Sequence, residues 1–392
     1  MELAPFPFGR LPGFRRAIPS TPLDAYCYAF ESIAAGNAFV TPRAHGAEDS
    51  ARNEASAAVF TGAEMSLTAP DTERRLDVRL RIQERPPSKR ILIIVNPYAT
   101  TVSDRLKNLV VYALRGRFLV DAVDTQRRDH ATELCREAAT RGYDAVVAFG
   151  GDGTVNEAAN GLAGSDVPLS CLPGGRANVY CRILGIPSDV VDATEHLLSL
   201  ADDWRPRAVD LGRVQDRHFL FSAGVGLDAS VVRRVDAHPQ LKARAGEYYY
   251  AWRATTTFAR HYLVKPRRLA ATFDDNSIAG VTVIVQNAPH YTYFGDQAVQ
   301  IAPDARLDSG ELAGAVLTRS SPLDVPSFAW RALRAGASVA DHRHIEAFSS
   351  AGPFTVHSLD GRTLPVQVDG DYLGEFELAE FSIAPKGLLV VA

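Results

Sequence analysis

Short apolar runs alternate with helical periods from Ile91 onward. In one such period, Ala131, Leu134, Cys135 and Ala138 fall at i, i+3, i+4 and i+7, the spacing of a helix with one buried face. The predicted strands are ILIIV, FLVDAVDT, DAVVAF and PLSCL, and the predicted helices between and after them are SDRLKNLVVYAL, HATELCREAATRG and TVNEAANGLA. Alternation of this kind predicts a parallel sheet with helices on its faces.

The pattern changes near residue 206. Short β-like runs such as HFLFSAGVG, AGVTVIVQN and GELAGAVL are separated there by the turn signals DDNS and DSG. They predict a mostly antiparallel region, interrupted by helices at 248–262 and 328–342. We therefore predict an α/β plus β fold, with a parallel α/β domain over 89–205 and a mostly antiparallel, β-rich domain over 206–376. Residues 377–392 are expected to complete the first domain or to pair with the second.

The first 88 residues differ from the rest, because they are rich in Ala, Pro, Ser and Arg and show little periodicity. We predict a flexible N-terminal extension that is marginally helical in places. Acids such as Asp24, Glu31 and Glu48 make this segment unlike a transit peptide. Met65 is the one methionine besides Met1, so a translation start at Met65 is an alternative.

Composition then narrows the class of protein. The 392 residues are 46% hydrophobic and 22% charged, as in a folded globular chain. A net charge of -4 argues against a nucleic-acid-binding protein. No run reaches the roughly 18 apolar residues of a membrane span and no secretory signal opens the chain, so we expect a cytoplasmic location. The four cysteines, Cys27, Cys135, Cys171 and Cys181, lack CxxC pairing and predict neither a disulfide framework nor a zinc site.

Three loops follow predicted strands, at the edge of the sheet where parallel α/β proteins bind ligands. They span Asn96–Thr101, Gly150–Thr154 and Pro173–Asn178. In the second loop, GGDGT, three glycines allow backbone N–H groups to approach a phosphate, and Thr154 is placed to cap the following helix. The dinucleotide fingerprint is not matched, because its third glycine position holds Asn156. A tight turn with a purely geometric role therefore stays open.

Two amides and a carboxylate follow the glycine turn. Asn156 and Asn160 are four apart and share one helix face, and Glu157 lies beside them. Asn is a poor helix former, so its repetition here favours a binding role. A polar surface is the alternative explanation.

Several motifs in order resemble the diacylglycerol kinase catalytic family, bacterial lipid kinases that are also similar to sphingosine kinases. The motifs are GGDGTVNEAANGL, PGGRANVYCRILGIP, VNPYATT, VDTQRRDHA, DLGRVQDRHFLFSAGVGLDA and VQVDGD. The resemblance covers residues 89–392. It implies an ATP site built from the three loops, between a nucleotide-binding α/β domain and a β-rich domain that binds the lipid substrate.

The resemblance also implies roles for individual residues. Asp152 would be catalytic and would reach the Mg²⁺ that accompanies ATP, Asp308 would belong to a second, structural magnesium site, and Asp369 would be the general base for the lipid hydroxyl. The residues expected to contact ATP are Asn96, Thr100, Thr125, Gly150, Gly151, Asp152, Gly153, Thr154, Asn156, Glu157, Gly175 and Arg176. Asp-Gly is also a strong turn signal, so a plain β-turn at Asp369 is the alternative.

The sequence departs from the family pattern in several places. Arg176 stands where Ser or Thr is usual, Val179 where many relatives have Asp, and Asp371 where the family has Glu. Ser309 interrupts the DDG stretch of the structural magnesium site, which reads LDSG here. Asp228 is a family landmark near the domain junction, with helix capping as its alternative role.

The resemblance thus implies an ATP-dependent lipid kinase that converts diacylglycerol to phosphatidic acid with ATP and Mg²⁺, acting peripherally at a membrane surface. The alternatives are a kinase of another lipid or sphingoid base, and a catalytically weak nucleotide- or lipid-binding protein of the same fold. A NAD kinase is disfavoured, because its Asn-Glu pair is expected well downstream of the glycine turn, whereas Asn156 and Glu157 follow it at once. The oligomeric state is open, and a homodimer is one alternative.

Overall fold

The computed structural model describes residues 89–236 and 267–392, except 274–275, 303, 320, 325–326, 329, 332–333 and 335–337. The predicted flexible extension at 1–88, which includes Cys27 and Met65, lies outside these residues, as does the predicted helix at 248–262. The predicted helix at 328–342 lies partly outside them. Within the described residues, no helix is long and apolar enough to cross a bilayer.

The first part of the described chain alternates strands and helices. Its elements are β1 (Lys89–Val95), α1 (Asp104–Arg115), β2 (Phe118–Asp124), α2 (His130–Ala138), β3 (Ala145–Gly150), α3 (Asp152–Leu162), β4 (Leu169–Pro173), α4 (Val179–Ile183) and α5 (Val190–Leu200). Strand β1 pairs in parallel with β2 and β3, and β3 pairs in parallel with β4. The predicted parallel α/β arrangement is confirmed.

Burial explains why these segments form a parallel sheet. Strands β3 and β4 are buried along their whole length, as expected where helices cover both faces of a sheet. Helix α1 buries Val110, Val111 and Leu114. Its N-cap is Ser103, whose side chain accepts a hydrogen bond from the Leu106 N–H. The helix therefore combines a good start signal with an apolar face that packs on the sheet.

The second part is mostly antiparallel. Its elements are β5 (Arg207–Val214), β6 (Arg217–Phe219), β7 (Ser222–Gly226), α6 (Leu227–Asp236), β8 (Leu269–Phe273), β9 (Asn276–Gly280), β10 (Thr282–Gln286), β11 (Thr292–Phe294), β12 (Gln297–Val299), β13 (Leu312–Leu317), β14 (Ile345–Ser350), β15 (Phe354–Ser358), β16 (Leu364–Val368), β17 (Asp371–Phe376) and β18 (Leu378–Val390). Six of these strands form an antiparallel sheet in the order β14-β13-β10-β7-β16-β17. The predicted β-rich second region is confirmed.

Strand β18 connects the two parts. Near its end, Val390 pairs in parallel with Leu169 of β4, and the rest of the strand pairs antiparallel with β5 and β15. Strand β15 continues to β8 and β9, so that one ten-stranded sheet runs from β2 to β9. The sequence left open whether residues 377–392 pair with the first domain or with the second. In the structure, β18 pairs with strands of both.

Two large hydrophobic clusters lie in the part of the chain that the structure describes, one around β1 to β4 and one between the antiparallel strands. In the second cluster, Phe354 and Phe381 stack with ring centroids 5.0 Å apart. The described cysteines, Cys135, Cys171 and Cys181, are buried free thiols, and the Cys171 and Cys181 sulfur atoms lie 3.0 Å apart. The burial of these three thiols agrees with the apolar residues that flank them in the sequence.

Candidate functional site

The three loops marked by the sequence lie side by side at the carboxyl ends of β1, β3 and β4. The Asn96 N–H donates to the Phe149 carbonyl over 2.9 Å, and the Gly174 N–H donates to the Gly150 carbonyl over 2.9 Å. The Thr101 N–H donates to the Gly174 carbonyl over 3.1 Å. These backbone hydrogen bonds tie the loop after β1 to the loops after β3 and β4, so the predicted loops form one surface.

Glycine is required where these loops touch. A Cβ atom on residue 174 would lie 2.8 Å from the Gly150 Cα, and one on residue 175 would lie 2.8 Å from the Gly151 Cα. The Asn178 side chain fixes the same loop, because it accepts from the Gly175 N–H and donates to the Gly175 carbonyl, both over 2.8 Å. The loops can therefore pack backbone against backbone.

Helix α3 starts inside the glycine turn. Its N-cap is Gly151, which is extended and provides no side-chain cap. The prediction that Thr154 caps the helix is wrong, because the helix already begins at Asp152. Thr154 is buried and accepts a hydrogen bond from Asn96 Nδ2 over 3.0 Å. A helix start without a side-chain cap presents N–H groups and the positive end of the helix dipole, an arrangement suited to an anion.

Asp152 lies in the first turn of α3, and its Oδ1 accepts a hydrogen bond from the Tyr180 N–H over 3.0 Å. The carboxylate thus links the glycine turn to α4. Burial raises the pKa of Asp152 and the charge of Asp371 raises it further, while backbone N–H groups of Val179 and Tyr180 oppose the shift. Asp152 is therefore a constrained acid at the predicted phosphate surface.

Asn156 faces the second part of the chain. Only 2% of the residue is exposed, its Nδ2 donates to Asp369 Oδ2 over 2.7 Å, and its Oδ1 accepts from Arg217 Nε over 3.0 Å. Arg217 also pairs with Asp129 at 2.9 Å. Sequence reasoning did not single out Arg217, although this residue lies within the motif DLGRVQDRHFLFSAGVGLDA. Asn156 therefore connects α3 to β6 and to the turn after β16.

Glu157 lies in α3, and its side chain reaches the start of α2. Its Oε2 accepts a hydrogen bond from the Ala131 N–H over 3.2 Å. The N-cap of α2, Asp129, has a left-handed backbone and forms no side-chain cap bond. Glu157 thus supplies the cap from a neighbouring helix. Burial raises the pKa of this carboxyl, and the backbone N–H groups of Asp129 and Ala131 oppose that shift.

The other residues expected to contact ATP are distributed over the same edge. Thr125 is buried after β2, and its N–H donates to the Val95 carbonyl over 2.8 Å. Thr100 and Arg176 are exposed in the loops after β1 and β4. The contacts of all these residues with ATP stay predictions.

A two-residue turn joins β16 and β17. Val368 pairs with Asp371, and Asp369 and Gly370 between them have φ angles of 47° and 84°. Positive φ at both central positions is the signature of a tight hairpin turn, and Asp-Gly is favoured there. The β-turn that the sequence offered at Asp369 is present.

The Asp369 side chain is held from four directions. It is 4% exposed. Its Oδ2 accepts from Asn156 Nδ2 and from the Leu220 N–H, each over 2.7 Å. Its Oδ1 accepts from the Phe221 and Ser222 N–H groups, each over 3.0 Å. Burial raises the pKa of Asp369 to about 6, against the opposing effect of these four donors.

Asp371 lies on the other side of the turn, partly exposed, at the start of β17. Its Oδ2 is 2.6 Å from the place that a Cβ of residue 153 would occupy. Gly153 belongs to the first turn of α3. The Asp371 carboxylate therefore stands against the glycine turn, beside the predicted phosphate surface.

Asp228 is bound to this turn through a second side chain. Its Oδ1 accepts from Tyr291 Oη over 2.5 Å and its Oδ2 accepts from Gln367 Nε2 over 2.7 Å. Gln367 Oε1 in turn accepts from the Gly370 N–H over 2.9 Å. Asp228 lies in the first turn of α6. Its hydrogen bonds to two side chains show that it does more than cap this helix, which was the alternative role for it. Burial raises its pKa, and the Tyr291 and Gln367 donors oppose the shift.

The predicted structural magnesium position has a different organisation. Asp308 is exposed in the loop before β13. Asp210, which is 3% exposed, accepts from the Gly310 and Lys386 N–H groups over 2.7 Å each and so holds this loop. Among the described residues, no group of three or more His, Cys, Asp or Glu side chains is placed to hold a metal. Asp152 and Asp308 as metal ligands stay predictions. A lone acid in the buried strand AVDLGRV was the available signal for Asp210.

Comparison with known proteins adds to this geometry. The family model described as diacylglycerol kinase catalytic domain matches residues 90–214, and the model described as YegS C-terminal NAD kinase beta sandwich-like domain matches residues 222–392. The resemblance to the diacylglycerol kinase catalytic-domain family that the motifs predicted is confirmed. The same matches confirm the expected enzyme class, a lipid kinase of the diacylglycerol kinase type.

The relatives of this chain are distant in sequence. A diacylglycerol kinase of Bacillus subtilis is 27% identical over 247 residues, covering 62% of this chain and 76% of the relative. A diacylglycerol kinase of Staphylococcus epidermidis is 26% identical over 305 residues, covering 73% of this chain and 87% of the relative. A Bacillus anthracis structure, titled as a candidate diacylglycerol kinase, superposes with a TM-score of 0.61 at 22% identity, over 77% of this chain and 96% of that one. The superposition confirms the fold.

Proposed function

We propose that this protein transfers the γ-phosphate of ATP to the free hydroxyl of diacylglycerol, giving phosphatidic acid. The observation that carries the proposal is the surface formed by the three loops, where the backbones of Gly150, Gly151, Gly174 and Gly175 pack together beside the uncapped start of α3. Bare backbone N–H groups at a helix start suit phosphate groups. Diacylglycerol as the acceptor is supported by the relatives described above, which are named diacylglycerol kinases.

Phosphoryl transfer is catalysed mainly by positioning and by electrostatic stabilisation. In this proposal, the residues of the three loops bind the phosphates, residues 89–205 bind the nucleotide, and residues 206–376 bind the lipid. Mg²⁺ enters as part of the Mg-ATP substrate, which proteins usually hold through phosphates, waters and one or two carboxylates. Asp152, fixed by the Tyr180 N–H, fits the role of that carboxylate.

The acceptor hydroxyl belongs to a lipid, so the protein would work at a membrane surface as a peripheral, cytoplasmic enzyme. A kinase that acts on another lipid or on a sphingoid base would use the same loops. The choice of acceptor is therefore the first thing to measure.

Purified full-length protein should be given Mg-ATP labelled at the γ-phosphate, with diacylglycerol, a sphingoid base and NAD in parallel detergent-micelle reactions. We expect labelled phosphatidic acid, and we expect Asp152→Ala to lower turnover by about 100-fold or more. The control is Asp166→Asn, at an exposed acid between α3 and β4, on the opposite edge of the sheet. Labelling of the sphingoid base or NAD in place of diacylglycerol would contradict the proposal.

A further inference from the structure

Two buried thiols flank the loop after β4. Cys171 lies in β4 and Cys181 lies in α4, and each residue is 1% exposed. The Cys181 thiol donates a hydrogen bond to Cys171 Sγ, and the two sulfur atoms lie 3.0 Å apart. Because the sulfur–sulfur bond of a disulfide is about 2.0 Å long, an approach of about 1 Å would join them. The fold thus places the thiols for bonding, although they are ten positions apart in the sequence.

The loop between these thiols belongs to the surface where we propose that phosphate binds. It contains Gly174 and Gly175, whose backbones pack against the glycine turn before α3. A bond from Cys171 to Cys181 would close the chain into a ring that contains the whole loop Pro173–Asn178. The ends of the loop could then no longer separate.

The two thiols are held with different firmness. Strand β4 lies inside the sheet, where it pairs with β3 on one side and with β18 on the other. Helix α4 has five residues, Val179–Ile183, and lies outside the sheet. When the sulfur atoms approach each other, α4 therefore moves more than β4 does.

A movement of α4 reaches the glycine turn through one hydrogen bond. The Tyr180 N–H, next to Cys181 in the chain, donates to Asp152 Oδ1 over 3.0 Å. Asp152 is the acid for which we proposed contact with Mg-ATP. A disulfide at Cys181 therefore displaces the group that fixes an acid of the proposed site.

The pair is stable as thiols while the loop is closed. The hydrogen bond with Cys181 and burial raise the pKa of Cys171, so this thiol is protonated at neutral pH. The thiolate is the form that attacks an oxidant, so the buried pair reacts slowly. Disulfides that form in reducing compartments are usually transient and serve catalysis or redox sensing, and a pair that stays reduced until oxidant is abundant fits the second use.

We propose that Cys171 and Cys181 form a redox-sensitive site, at which hydrogen peroxide joins the two sulfur atoms and thereby slows phosphate transfer. One sulfur attacks the peroxide, the O–O bond breaks, and a sulfenic acid and one water form. The second sulfur then displaces the hydroxyl group from the first, which forms the S–S bond and releases a second water. The two sulfur atoms together lose two electrons, which reduce the peroxide. The site stands without the proposed kinase activity, whereas its effect on phosphate transfer rests on it.

The first experiment detects the bond itself. Full-length protein is treated in its folded state with hydrogen peroxide, free thiols are blocked, and the tryptic peptides are identified by mass spectrometry. Cleavage after Arg141, Arg176 and Arg182 separates the two thiols, so that residues 142–176 and 177–182 stay together only through a disulfide. We expect this linked pair in the wild type and its loss after dithiothreitol. The buried thiol of Cys135 is the internal control and should stay free.

The second experiment measures phosphate transfer from Mg-ATP to diacylglycerol and to water in the same samples. We expect kcat of the oxidised wild type to fall about tenfold and to recover with dithiothreitol, because a displacement of about 1 Å near the reacting groups is costly. Peroxide should leave the rate of Cys181→Ala unchanged, since one partner of the bond is missing. The matched control Cys135→Ala should lose as much activity as the wild type.

The site is overturned if the linked peptides are absent, or if they form only after the protein is unfolded. Linked peptides with an unchanged rate would contradict the effect on transfer. An equal loss of rate in Cys181→Ala would also contradict it, because oxidation elsewhere would then account for the loss. If the reduced wild type transfers phosphate neither to a lipid nor to water, the proposed kinase activity fails, while the linked peptides still decide the site.

Discussion

The loops after β3 and β4 are positioned by the absence of side chains, whereas the turn after β16 is positioned by one side chain. Gly150 and Gly174 touch because neither has a Cβ atom. The turn at Asp369 is held by four hydrogen bonds to a single carboxylate. The glycine loops leave backbone N–H groups available to a ligand. In the turn, by contrast, all four acceptor positions of the Asp369 carboxylate are occupied by hydrogen bonds within the protein. An acid in a family motif is therefore not by itself an acid available to substrate.

The largest effect on stability should come from Asp369→Asn. The amide nitrogen replaces one acceptor oxygen and faces N–H donors, so at least one buried donor is left without a partner. We expect the free energy of unfolding to fall by about 3 kcal/mol at pH 7.5. Urea unfolding measures this change, with Asp371→Asn as the matched control at the other end of the turn. Equal stabilities of the two variants would remove the contrast between the acids.

The glycine loops should be nearly as sensitive. In Gly174→Ala, the new Cβ would press on the Gly150 backbone, which has no flexible side chain to move away. We expect a loss of about 2 kcal/mol in stability and roughly tenfold weaker ATP binding, because the loops must separate. Isothermal titration with a non-hydrolysable ATP analogue measures the second effect. The control is Gly352→Ala, where a Cβ would meet no atom within 4 Å. Unchanged affinity in Gly174→Ala would show that the loops do not need close contact.

The pH dependence of stability offers a smaller test of Asp369. Because burial raises the pKa of Asp369 to about 6, the folded protein binds this proton more tightly than the unfolded chain does. The stabilisation is complete below the ordinary pKa of Asp and is lost as the pH rises through 6. Between pH 5 and pH 7.5, the stability advantage of the wild type over Asp369→Asn should therefore shrink by about 1 kcal/mol. An advantage that grows over this range would mean that the four donors outweigh burial.

The smallest effect is expected for Glu157→Gln. Glutamine keeps an acceptor for the Ala131 N–H but removes the negative charge at the start of α2. We expect a loss of about 0.5 kcal/mol in stability, with KM for ATP within twofold of the wild type. Steady-state kinetics and urea unfolding check both numbers. A large rise in KM with unchanged stability would place Glu157 at the nucleotide, as the resemblance implied.

Periodicity and turn signals were enough to predict the order of strands and helices up to β4 and the convergence of the three loops. The reason is local: each buried strand ends at a glycine or proline turn, and parallel strands share one carboxyl edge. Partners that lie far apart along the chain were beyond this reasoning. The bonds from Asn156 to Asp369 and from Asp228 to Gln367 span 213 and 139 residues. Nothing near Asn156 in the sequence indicates a partner in the second part of the fold.

The start of α3 shows the same limit on a small scale. The sequence placed the cap at Thr154 because Thr is a frequent cap residue. The structure begins the helix earlier, since Gly151 adopts an extended conformation and Asp152 can already be helical. Helix propensity was enough to predict the helix itself. The role of Thr154 depends on a contact with Asn96, which lies in another loop and could not be predicted from local sequence.

Strand β18 imposes an order on biosynthesis. Residues 378–390 lie between β4 on one side and β15 on the other. On the ribosome, β4 therefore has an unpaired edge until nearly all of this sequence has been translated. An unpaired edge is a template for association with other chains. In a nascent or truncated chain that ends before residue 378, the sheet that carries the glycine loops would lack β18, and β4 would keep an unpaired edge. We therefore expect such a chain to require a chaperone or to aggregate.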